Sequence, residues 1–154
     1  MILGLHTLMW NNLPLEARVY VQKGITGNWS VTAMIGKHEL FSTGSLYNQT
    51  SQNLGRILLD LCPNQLNKIT KQLTNHSLNI CSYLDHYIPD LGCCTLDYVL
   101  EQNGKPSLIY LGGWEQNDYL YTVDKNLWLK YHENALDYLQ YLLINNYSGE
   151  AENR

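Results

Sequence analysis

Residues 93–112, CCTLDYVLEQNGKPSLIYLG, decide how this chain is read. Two runs dominated by β-forming residues, about 94–100 and 107–111, flank Asn103-Gly104, a dipeptide suited to a tight turn that needs positive φ. The stretch therefore predicts a β-hairpin. Asp97 projects from its first strand, and the matching position on the second is Tyr110. A carboxylate facing a carboxylate and an amide across such a hairpin is a common way to hold Mg²⁺ against phosphates. Here the second strand supplies no acid, so only half of that arrangement is present.

Working outward, residues 89–92 (PDLG) end the clearest amphipathic helix in the chain. Pro63 suits its first turn, and Leu66, Ile69, Leu73, Ile80, Leu84 and Ile88 fall at helical spacing. A short helix over 54–61 precedes it, interrupted at Cys62-Pro63. Upstream, residues 18–23 (RVYVQK) and 29–35 (WSVTAMI) alternate with period two around a Gly-bearing turn, predicting a second hairpin. Residues 36–52 show no sustained period and are expected to form a long surface loop. Beyond the 93–112 hairpin, Gly112-Gly113 breaks the pattern. A second helix carries Trp128, Tyr131, Ala135, Tyr138, Leu139 and Leu142 on its apolar stripe. The order strand, strand, helix, strand, strand, helix implies an α+β fold: an antiparallel sheet with helices packed on one face and the other face open. The boundaries are an N-terminal segment over 1–13, one lobe over 14–145 and a frayed polar tail over 146–154.

A chain of 154 residues buries a genuine core without staples. The net charge of −4 and scattered Lys and Arg argue against nucleic acid as a partner. Twelve Tyr against one Phe suits either a contact surface or a compositional bias of the source. Cys62, Cys81, Cys93 and Cys94 form no CxxC pair. The vicinal two would face opposite sides of a strand, so all four read as small buried hydrophobes in a reducing compartment. His38, His76, His86 and His132 are dispersed, and no triplet of catalytic side chains is discernible. Triplets of the glycosylation type at Asn28, Asn48, Asn75 and Asn146 arise by chance in an Asn-rich chain. No run reaches the roughly 18 apolar residues of a membrane span. The first ten residues lack the marks of a signal peptide. A soluble, cytoplasmic chain is expected.

Residues 16–23 (EARVYVQK), followed by 27–32 (GNWSVT), resemble the D-x-R-V-x-V-Q-K…G-x-W-x-V-T segment of the YheC/YheD type of ATP-grasp domain, found in endospore-forming bacteria. Asp90-Leu91-Gly92 resembles that family's E-L-G run, and 96–106 resembles its metal-bearing strand-turn-strand. The resemblance covers about 14–111. It implies the C-terminal lobe of a domain that joins a carboxylate to an amine through an acyl-phosphate, with ATP and Mg²⁺ as cofactors. It further implies Asp97 as a metal ligand and Arg18, Gln22 and Lys23 as nucleotide- or phosphate-binding residues. Three departures stand against this. Tyr110 and Gly112 occupy the places of the family's Glu and Asn, Glu16 that of its Asp, and almost nothing precedes residue 14 to supply the other lobe. Other roles for these residues are a solvated or hydrogen-bonded Asp97, an Arg18 paired with Glu16 or Asp97, and Gln22 and Lys23 at a solvated hairpin end. Trp29 reads as a core residue.

The reading is thus a degenerate ATP-grasp-like lobe, non-catalytic in isolation, acting as an interaction module through a protein partner or self-association, with spore association implied by the resemblance. The alternative is the ATP/Mg-binding half of a carboxylate-amine ligase completed by another chain or lobe.

Overall fold

The computed structural model describes residues 6–38, 51–113 and 118–151. Strands β1 (Met9–Trp10) and β2 (Leu13–Pro14) form a small ribbon. Then follow β3 (Glu16–Lys23), β4 (Trp29–Lys37), β5 (Ser51–Asn53), α1 (Leu54–Leu61), a 3₁₀ turn (Pro63–Gln65) and α2 (Leu66–Leu84). The chain continues through β6 (Cys93–Leu100), β7 (Pro106–Gly112), α3 (Asp118–Val123) and α4 (Lys125–Ala151). The main sheet is antiparallel throughout, in the order β5-β4-β3-β6-β7. The α+β class and both expected hairpins are present. Part of the expected loop is strand: β4 extends through Gly36 and Lys37, and β5 adds an edge strand beside them. Residues 39–50 of that loop lie outside the described residues.

Strand β3 sits at the centre of the sheet, and alternation divides its side chains between two environments. Ala17, Val19 and Val21 join Leu96, Tyr98 and Leu100 of β6 beneath Leu54, Ile57 and Leu58 of α1 and Ile69, Leu73 and Cys81 of α2. This is the main apolar core. Gly36 allows α1 to lie close, because a Cβ there would stand 2.4 Å from Ile57 Cδ1. The turn falls at Asn103-Gly104 as the sequence predicts, with Gly104 but not Asn103 at positive φ (+81°). The Glu101 amide donates to Lys105 O at 2.9 Å, so Gln102 joins the turn, and a register shift between Asp97 and Tyr98 takes up the extra residue.

The opposite face is not open along β3, which corrects the expectation of a single covered face. Tyr20, Ala33 and Ile35 bury against Leu120 of α3 and Tyr131 of α4, with the Tyr20 and Tyr131 rings edge to face at 5.5 Å. Tyr131 and Tyr138, both on the predicted stripe, face inward. Helix α4 was expected to cover the same side as α2. It instead lies on the other face, where Tyr131 is buried and Asn134 and a backbone carbonyl of the helix meet polar partners. Gln22 donates to Tyr131 O at 2.9 Å and accepts from Thr32 Oγ1 at 2.8 Å, and Asn134 Nδ2 donates to Thr32 Oγ1 at 3.1 Å. Residues before β3 are also tied down: the Leu8 amide donates to Leu100 O, and Thr7 bridges to Glu101.

Candidate functional site

Period-two alternation puts Glu16 and Arg18 of β3, Lys37 of β4 and Asp97 of β6 on the α3/α4 face. The register brings them together: Glu16 pairs with Lys37, and Arg18 with Asp97. Arg18 grips Asp97 with two parallel hydrogen bonds, Nε to Oδ1 and Nη2 to Oδ2, both 2.7 Å. Lys37 Nζ lies 3.0 Å from Asp97 Oδ2 and 3.2 Å from Glu16 Oε2. The Tyr119 ring of α3 covers the guanidinium, 5.3 Å from Cζ to centroid. Arg18, Lys37 and Asp97 are all buried. Forked, charge-assisted bonds of this kind are short and strong. Charges withdrawn from water persist where each has an opposite partner, and the four named residues are two cations facing two carboxylates.

The other residues singled out from the sequence do not join this cluster. Gln22 lies one full strand segment away, about 13 Å along β3, with its amide engaged in the α4 latch. Lys23 turns to the opposite face, where Nζ contacts Asp85 Oδ1 at 2.6 Å. It also lies 4.9 Å from the Trp29 ring centroid and 5.3 Å from that of Tyr138. Trp29 packs against the main core, and its indole donates to Asp85 Oδ2 at 3.3 Å. Tyr110 stands across from Asp97 and Gly112 across from Thr95, as the hairpin register predicts.

Sequence reasoning missed Lys37, which it assigned to a loop. The signal was present in part: Ala33, Ile35 and Lys37 continue the alternation, and extending the first hairpin by two residues sets Lys37 opposite Glu16.

The thiols follow the expected division. Cys93 bonds toward Tyr131 on the α4 face, and burial raises its pKa. Cys94 meets Cys81 in the main core. The hydrogen bond between those two thiols lowers the Cys94 pKa and raises that of Cys81. All four cysteines are free.

The Mg²⁺ and ATP implied by the resemblance fit these residues poorly. Mg²⁺ takes oxygen ligands in near-octahedral geometry at about 2.0–2.1 Å, whereas Asp97 Oδ2 already meets two cations, Arg18 and Lys37, and has no lone pair left for an ion. Among the described residues, no group of three or more His, Cys, Asp or Glu side chains converges. Hollows among the described residues do not include the cluster. A polar one of about 290 Å³ runs between β5, α1 and α3 past Arg56 and Asp124. An apolar one of about 420 Å³ runs along α4 past Gln22, Cys93 and Leu136. Neither is lined by Arg18 or Asp97. No helix among the described residues is long and apolar enough to cross a membrane.

No curated protein matches the chain. The profile of the YheC/D like ATP-grasp family matches residues 4–142, a span that holds both hairpins, α1, α2 and most of α4. With that match over most of its length, and the antiparallel α+β lobe to accompany it, the chain belongs to the YheC/D like ATP-grasp family.

Proposed function

We propose that this chain is a degenerate ATP-grasp-like lobe, non-catalytic in isolation, that works as an interaction module in the cytoplasm, with a spore-related assembly as the setting the family suggests. The observation that carries this reading is the state of Asp97. Its carboxylate is consumed by Arg18 and Lys37, and Tyr110 stands where a second acidic ligand would be needed. Exposed apolar side chains support the interaction role. Edge strand β7 presents Leu108, Ile109 and Leu111, and α4 presents Leu129, Leu136, Leu139 and Leu143. Exposed apolar side chains mark a contact site where they adjoin one another. A protein partner or a second copy would cover it.

Calorimetric titration with ATP and Mg²⁺, alongside Asp97→Ala, tests the proposal. No heat at millimolar ATP is expected. Saturable heat that Asp97→Ala abolishes would favour the alternative, an ATP/Mg-binding half of a carboxylate-amine ligase completed by another chain or lobe. One observation speaks for that alternative: Arg18, on the family string, is a buried guanidinium aimed at an anion. Release of Asp97 would free it for phosphate.

A further inference from the structure

We infer that the Lys37 ammonium is a built-in cation that bridges Glu16 and Asp97 and closes this corner of the lobe to divalent metal ions. The inference rests on the proposal that Asp97 is not a working metal ligand, and goes further by naming the group that displaces the ion. Lys37 Nζ contacts one oxygen of each carboxylate, at 3.2 Å and 3.0 Å, as a bridging metal ion would. Its side chain is 2% exposed, and the Asp97 side chain 5%, so the ammonium is not a passing surface contact. Strand register enforces the placement, because Glu16 pairs directly with Lys37 and Arg18, two residues on, pairs directly with Asp97.

Charge balance points the same way. Arg18 neutralises one carboxylate of the set and Lys37 the other. A divalent ion between the two carboxylates would stand against the Lys37 ammonium, and two like charges in a buried site are costly. Without Lys37, the three remaining residues carry one net negative charge among themselves, and two carboxylates converge on a vacated position. Metal–oxygen distances near 2.1 Å would then require each carboxylate to close in by about 1 Å.

The experiment compares wild type, Lys37→Ala and Lys37→Ala/Glu16→Gln in EDTA and in graded Mn²⁺, by thermal melting and by Mn²⁺ paramagnetic resonance. Wild type should show no Mn²⁺-dependent change in Tm. Lys37→Ala should melt lower in EDTA and regain about 4 °C once Mn²⁺ exceeds its Kd tenfold, with bound Mn²⁺ visible. The double variant should lose that gain. A folded Lys37→Ala with no Mn²⁺-dependent gain would overturn the inference. So would a gain that survives Glu16→Gln.

Should Lys37→Ala fail to fold in EDTA, two measurements still decide. Refolding of that variant in Mn²⁺ is expected, and its absence counts against the inference. In wild type, Mn²⁺ should not selectively broaden the amide signals of Glu16, Lys37 and Asp97, and selective broadening there would overturn it. ATP binding to wild type without such broadening would instead defeat the proposed function and leave this inference standing.

Discussion

The two faces of β3 are made by alternate residues of one strand, yet apolar and ionic contacts are balanced differently on them. On the α1/α2 face, Ala17, Val19 and Val21 pack into the main apolar cluster, with the hydroxyl pair of Ser77 and Tyr98 inside it and the Lys23–Asp85 ion pair at the end of the strand. On the α3/α4 face, Arg18 and Gln22 flank Tyr20, and ion pairs and amide hydrogen bonds carry much of the contact. Apolar burial is non-directional and tolerates small shifts. A buried ion cluster demands every partner in place and contributes little beyond what a well-packed apolar replacement would. The first face therefore supplies the larger apolar burial, and on the second face the ion cluster adds a fixed geometry to the smaller apolar set of Tyr20, Ala33, Ile35, Leu120 and Tyr131.

The largest expected break in that comparison is Asp97→Leu. It strips two buried cations of a carboxylate and should cost about 3–5 kcal/mol, read as a fall in the urea midpoint. Adding Arg18→Met to Asp97→Leu should recover most of the loss, since Lys37 retains Glu16. If the double variant is no more stable than the single one, the ion pair stabilises the fold more than this comparison allows. On the apolar face, Leu96→Ala should cost about 3 kcal/mol through lost burial and a residual cavity, and no second substitution among the charged residues should rescue it.

A smaller effect, about 1 kcal/mol, is expected for Tyr98→Phe, which leaves the buried Ser77 hydroxyl without its 2.9 Å partner. The same variant tests the pH response. Burial raises the Tyr98 pKa above its ordinary value. The folded state then holds a proton that the unfolded state releases, so the contribution is intact below about pH 10 and is lost as pH rises through the raised value. Wild type should lose stability more steeply than Tyr98→Phe in that alkaline window, and parallel curves would sink the assignment. The smallest change, within about 0.5 kcal/mol, is expected for Leu136→Ser on the exposed side of α4. A larger loss in the urea midpoint would mean that residue is buried in solution.

Much of the sheet was legible because its signals are local. Asn103-Gly104 marks one turn, period two marks β3, β4 and β6, and the spacing of Leu66, Ile69 and Leu73 marks α2. Ile88, read on the same stripe, lies past the helix end and is exposed. Strand β5 escaped notice because three residues, Ser51–Asn53, are too few to show a period. The side taken by α4 also escaped, since it depends on Gln22, Thr32 and Asn134 meeting across more than a hundred residues, and polar side chains give no periodic hint of a partner. Of the candidate site, Asp97, Arg18 and the missing acid at Tyr110 could be read directly. Lys37 could not, because a lone cation after an apolar strand looks solvated until its register is known.

The cluster also has a mechanical meaning. Glu16 and Arg18, Lys37, and Asp97 sit on three neighbouring strands, so the ion pairs run across the sheet in the same direction as its backbone hydrogen bonds. Strand β3 is consequently tied to β4 and β6 through side chains as well as through the ladder, with both faces covered. In deuterium exchange, the amides of Val19 to Val21 should open only with the whole molecule, while β5 and β7 at the two edges exchange long before them.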